Sequence, residues 1–158
     1  MHIKAPAGAG KTFIALHFML ELLDASRSTT LLFAAKNLPL VALVARWIER
    51  RLKERGFGTK KRARYLSRLH LLFTPFGDGP RVATVASGHI EFKAAKKRSK
   101  YSLVVIDEAH HIWREEHLRT AVTEYDGERL MLLSDISQGL HMGLGRELAT
   151  STEKRVSR

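Results

Sequence analysis

The sequence predicts an α/β fold of three layers around a mostly parallel central sheet. Three observations predict it. Short continuous apolar runs, Leu103-Val104-Val105-Ile106 and Leu130-Met131-Leu132-Leu133, read as strands covered on both faces, as in parallel sheets. Segments of helical spacing alternate with such runs. The chain of 158 residues has the size of one domain and can bury a full core.

Strands are predicted over residues 2–4, 30–35, 70–73, 81–86, 102–106 and 129–133. Residues 11–25 are apolar nearly all round, which predicts a helix buried against the sheet. Asn37 can cap a second helix, with Pro39 tolerated in its first turn and Gly56 as a natural stop. Leu40, Val44, Trp47, Ile48 and Leu52 form one apolar stripe of that helix, so core packing is favoured over base stacking for Trp47. A third helix is expected over 114–125, where Leu118, Ala121, Val122 and Tyr125 have helical spacing. Residues 56–64, 74–80 and 87–100 read as irregular. Residues 149–158 read as a polar tail, leaving one domain over 1–148.

Composition narrows the function classes. Apolar residues make up 44% and charged residues 27%, which fits neither a disordered nor a membrane chain. The longest apolar stretches, 13–23 and 38–48, are interrupted by polar residues and fall short of a bilayer span. The chain has no cysteine, which excludes disulfides, thiolate-held zinc, iron–sulfur clusters and thiol catalysis. With no convincing secretory signal, the expected setting is intracellular. Lys plus Arg number 27 against 16 Asp plus Glu, a net charge of +11. Ten of these bases (Arg46, Arg50, Arg51, Lys53, Arg55, Lys60, Lys61, Arg62, Arg64 and Arg68) share residues 46–68 with only Glu49 and Glu54. A second basic run, 93–100, holds Lys93, Lys96, Lys97, Arg98 and Lys100. Both suit a polyanion, most simply single-stranded DNA or RNA or an acidic surface, or are solvated surface. Phe57 and Tyr65, interleaved with the first cluster, hint at base stacking.

Ala5-Pro6-Ala7-Gly8-Ala9-Gly10-Lys11-Thr12 fits a phosphate-cradling loop. Gly8 and Gly10 let backbone N–H groups wrap an anion, and the helix that follows offers its positive end. Lys11 supplies charge to the β- and γ-phosphates, and Thr12 a hydroxyl to Mg²⁺. The strand 103–106 ends in Asp107 and Glu108, at the sheet edge where α/β proteins bind ligands. There Asp107 would hold Mg²⁺ through a water, and Glu108 would take a proton from the attacking water. The pair could equally open the next helix. His110, His111 and His117, near Glu115 and Glu116, match no metalloprotease motif, and structural zinc is not expected.

These motifs resemble the P-loop NTPases of the RecA-like type, and Asp107-Glu108-Ala109-His110 is the form seen in many helicases. Ser134-Asp135-Ile136-Ser137-Gln138 is similar to motif III of superfamily 1, with Ser134 in place of its glycine. The resemblance spans residues 5–138. It implies the first RecA-like lobe of a superfamily 1-like helicase or related ATPase, with ATP as substrate and Mg²⁺ as cofactor. It implies phosphate binding by Ala7, Gly8, Ala9, Gly10, Lys11, Thr12 and Phe13. It assigns catalysis to Lys11, Glu108 and Gln138, with Asp135 in the network of Gln138 and His110 as a coupling residue. Thr12 and Asp107 are the implied metal ligands. The family topology sets strand 129–133 between the first strand and that of Asp107. Lys36 and Asn37 take the place of a motif that touches single-stranded DNA, although Asn37 is equally explained as a helix cap. A second lobe, supplying an arginine, is an implied partner, so slow turnover and no unwinding are expected of this chain alone. Two other readings stay open: a nucleotide-regulated switch without nucleic acid, and a basic nucleic-acid module whose nucleotide site is vestigial.

Overall fold

A computed structural model describes residues 1–86, 89–96 and 98–135. Seven strands form one mixed sheet in the order β1-β7-β6-β2-β3-β4-β5. They are β1 (His2–Ala5), β2 (Leu31–Ala34), β3 (Leu69–Leu72), β4 (Arg81–Ala86), β5 (His89–Ala94), β6 (Leu103–Ile106) and β7 (Leu130–Asp135). The first five in that order run parallel, and β4 and β5 are antiparallel additions. As the family topology requires, β7 lies between β1 and β6.

Helices cover both faces, as the buried apolar runs require. On one face lie α1 (Lys11–Ala25), α2 (Leu38–Glu54) and α3 (Thr59–Leu66). Leu16, Met19, Val44 and Ile48 pack there on Phe33, Leu71 and Val105. On the other face lie α4 (Ala109–Arg114) and α5 (Glu116–Thr123). Ile112, Trp113, Leu118 and Val122 pack there on Leu32, Val104 and Leu132. Because the strands are parallel, the segments after β1, β2 and β6 leave from the same edge of the sheet. The Leu40 N–H donates to Asn37 Oδ1 at 3.0 Å, so Asn37 is indeed the cap of α2. Among the described residues, no helix is long and apolar enough to cross a membrane.

Four expectations need correction. Residues 87–100 are not all irregular: β5 buries Ile90 and Phe92 on alternate positions, its pattern diluted by the exposed His89, Glu91 and Lys93. Residues 56–64 include the start of α3, a helix whose inward side is only Arg62, Tyr65 and Leu66, too little apolar signal to read. The helix expected over 114–125 starts earlier, at Ala109, and breaks at Glu115 (φ −103°, ψ 111°). At about 100° per residue, an unbroken helix would set Leu118 on the face opposite Ala109 and about 120° round from Ile112. The break lets both halves face the sheet. Finally, α1 is not buried all round: Phe13 and Ile14 are about half exposed (49% and 54%). A helix of 15 residues is about 22 Å long and overhangs strands of four residues, which span only about 13 Å.

One buried polar pair lies inside the second core. His70 Nδ1 is 3.0 Å from the Tyr101 hydroxyl. Burial, then the nearby charge of Arg98, holds the His70 imidazole down to about 4 from 6.5. The unfolded chain therefore binds this proton near 6.5 while the folded one resists it to about 4. The stability it contributes is full above pH 6.5 and falls as pH drops through that window. His70→Gln should flatten the decline of melting temperature between those limits. Gly127 sits where an added Cβ would lie 2.8 Å from Val104 Cγ2 and 3.0 Å from Arg129 O. Gly127→Ala should cost about 1–3 kcal/mol in urea unfolding.

Candidate nucleotide site

The loop between β1 and α1 turns sharply. Gly8 and Gly10 have φ of 76° and 79°, the left-handed region that a side chain strains. No atom lies within 4 Å of where a Cβ would stand at either, so both backbones face open space. Gly10 precedes α1, which has no side-chain cap and no acid in its first turn. Its first N–H groups and positive end therefore remain available to an anion. Lys11 is 8% exposed, and its Nζ donates to the carbonyls of Ala5 at 2.7 Å and Pro6 at 2.8 Å. The ammonium is thus held against its own loop.

The acidic pair meets this loop. Thr12 Oγ1 donates to Asp107 Oδ2 at 2.8 Å, and the Glu108 N–H donates to Asp107 Oδ1 at 2.8 Å. Asp107 is 2% exposed. Burial pushes its carboxyl up, and the negative Glu108 adds to this; the hydrogen bonds from Thr12 and Glu108 and the charge of Lys11 pull it down. The balance is upward. Thr12 and Asp107 offer hard oxygen donors side by side, the donor chemistry that suits Mg²⁺. A cation there would also relieve a buried carboxylate, so the residues fit that ion.

Glu108 adopts φ 51° and ψ 39°, and it is the one described residue other than glycine with positive φ. It immediately precedes α4, so the helix-opening reading of the pair also describes its position. Its side chain is partly exposed, with Oε2 3.3 Å from His110 Nε2 and 3.7 Å from His111 Nε2. His110 is 1% exposed, and neither ring nitrogen has a hydrogen-bond partner among the described residues. One oxygen of Glu108 and one nitrogen each of His110 and His111 lie within 4.8 Å of one another. In the sequence His110 and His111 group with His117; in the fold they group with Glu108. His117 instead lies 3.6 Å from Glu115. The adjacency of Glu108 to two histidines in one motif was the available signal.

Other expected residues take settled places. Asp135 ends β7, paired in register with Ala5 at the mouth of the loop, and is 8% exposed. Its neighbour Ser134 is bonded to His2 Nε2 at 2.6 Å. Gln138 and the tail 149–158 lie outside the described residues. Phe13 turns away from the core and meets Trp47 edge-on at 6.3 Å. Lys36 is paired with Glu115 at 2.9 Å. Tyr101 and Trp113 are buried in the second core.

A protein-family model described as Schlafen group 3, DNA/RNA helicase domain, matches residues 2–143. Comparison with curated proteins and with solved structures yields no match.

Burial disfavours the charged form of Asp107. Since folding raises its pKa, its ionised form is disfavoured in the folded chain, and its contribution to stability is lost as pH rises through the folded value. At pH 7 Asp107→Asn should therefore melt at the same temperature or slightly higher. A marked fall would mean that the hydrogen bond from Thr12 outweighs the cost of burial.

Proposed function

The chain belongs to the Schlafen group 3 DNA/RNA helicase domain family, and on that premise we propose that it binds Mg·ATP and hydrolyses it slowly. In this reading it is the first lobe of a superfamily 1-like motor, set inside the cell. The observation that carries the proposal is the hydrogen bond from Thr12 Oγ1 to Asp107 Oδ2 at 2.8 Å. It joins the residue at the end of a phosphate loop to the acid at the end of a distant strand. That pairing suits a metal-bound triphosphate and has no need in a plain glycine turn.

The backbone N–H groups of residues 7–13 wrap the phosphates. Lys11 exchanges the Ala5 and Pro6 carbonyls for phosphate oxygens, a swap of neutral acceptors for charged ones. Thr12 and Asp107 would hold Mg²⁺, which would supply neutralisation of the charge that develops on the phosphates. Glu108 accepts a proton from the attacking water. His110, beside it, orients that carboxylate or shares its charge. Gln138 senses the γ-phosphate. An arginine from a second lobe, in the same chain or another, is worth about 10³–10⁵ in rate, so turnover without it is slow.

Calorimetry with ATP, ADP and GTP, with and without Mg²⁺, tests the reading. Lys11→Ala should weaken ATP binding at least tenfold. Glu108→Gln should keep the binding and lose about a hundredfold in turnover. A Lys11→Ala protein that binds ATP as well as the parent sinks the assignment.

A further inference from the structure

The basic cluster 46–68 does not lie beside the phosphate loop. α2 leaves β2 at the edge that carries the loop and descends to the opposite edge, where α3 leads back into β3. The far end of α1 lies there too. Its Asp24 binds Arg55 at 2.6 Å and accepts from the Tyr65 hydroxyl at 2.8 Å. Arg68 donates to the carbonyls of Leu23 and Ser26, at 3.0 and 2.6 Å. This edge is therefore firmly built, and α1 sets it about 20 Å from Lys11.

The structure divides the cluster into two groups. Arg50 and Arg51 are both held by Glu54 at 3.1 Å, and Arg62 is turned inward onto Glu49 at 3.0 Å. Lys53, Lys60, Lys61 and Arg64 are exposed and make no ion pair among the described residues. Arg27 and Lys100 are exposed in the turns that lead into β2 and β6 on the same edge. The acids of this edge, Asp24, Glu49 and Glu54, are each already engaged by an arginine. Asp126 and Glu128 lie towards β7, away from α3. The aromatics are not free to stack on bases. Phe57 and Tyr65 are half-buried, 5.7 Å apart, with Lys61 over the first at 3.3 Å and Arg68 over the second at 4.8 Å.

We infer that the edge formed by Lys53, Lys60, Lys61 and Arg64 is a second, nucleotide-independent site that binds the phosphodiester backbone of nucleic acid. Charge complementarity and membership in a DNA/RNA helicase family favour that occupant. Binding is by charge without stacking, so it ignores base sequence and falls steeply with salt. The separation from the phosphate loop is about twice the screening length at 0.1 M salt, so the charge of bound nucleotide does not reach it. The site tethers a strand while the ATP edge does separate work.

The test is anisotropy of a fluorescent single-stranded DNA, and of RNA of the same sequence, titrated with the whole chain across a salt series. The triple variant Lys60→Glu, Lys61→Glu, Arg64→Glu should lose at least tenfold in affinity at low salt. The corresponding triple Gln variant should lower the slope of log affinity against log salt by about 2. Both variants should keep the parent's fold and ATP affinity, with the melting temperature lowered only slightly by loss of the Lys61 contact on Phe57. Lys11→Ala and added Mg·ATP should leave oligonucleotide binding unchanged, which separates this site from the nucleotide assignment. Unchanged affinity in the Glu variant overturns the inference, as does a tenfold shift on adding Mg·ATP. A strong preference for DNA or for RNA overturns the backbone-only mode. Binding to phosphatidylserine vesicles with none to either oligonucleotide assigns the edge to a lipid surface and overturns the occupant.

Discussion

The hydrogen bond between Thr12 and Asp107 joins residues 95 positions apart, and much of the architecture exists to make it. One partner begins a helix after β1; the other ends β6, two strands away in the sheet. Only a parallel arrangement, with β7 filling the space between, delivers both to one edge at bonding distance. The bond also forces a charge into a nearly dry place. Asp107 sits with its carboxyl shifted upward by burial, and three neighbours (Thr12, the Glu108 N–H and Lys11) offset that cost in part. Such tension is usual at working sites, where stability is given up for chemistry.

Parallel strands sort the remaining surface. Among the described residues, the segments that leave β1, β2, β3 and β6 emerge on the edge of the phosphate loop, and those that enter β2, β3, β6 and β7 do so opposite. The chain uses this sorting to keep two kinds of positive charge apart. Lys11 is buried against carbonyls on the first edge. The lysines and arginine of α2 and α3 stand in water on the second. α1 runs between the edges, with its uncapped start at one and Asp24 at the other.

Local chemistry was legible in the sequence. The loop needs glycine at positive φ, and Gly8 and Gly10 supply it. Asn37 announces its helix by a side chain that bonds its own turn. The buried runs 103–106 and 130–133 could hardly be anything but central strands. What stayed hidden depends on partners distant in sequence. The break at Glu115 leaves no glycine or proline mark; it arises because Ile112 and Leu118 must reach one sheet face. β5 pairs with β4, and its alternation is visible only once Phe73 is known to meet Phe92, at 5.4 Å. The fate of the basic cluster was hidden for the same reason: composition counts charges but cannot say which already have a partner. Gln138, assigned only through resemblance, lies outside the described residues.

β1 has one strand neighbour in the described sheet, and that neighbour is β7. The His2–Ser134 bond spans 132 positions, the longest side-chain link in the described fold. Closing so large a loop is slow, and local contacts cannot stand in for it. β6 pairs with β7 across 26 positions (Val104 with Leu130) and β2 with β3 across 38 (Leu31 with Leu69), whereas β1 pairs with β7 across 130 (His2 with Leu132). β1, and with it the phosphate loop, becomes fixed only when β7 has docked. On the proposed function, a chain still being made would grip a triphosphate only once β7 has paired with β1.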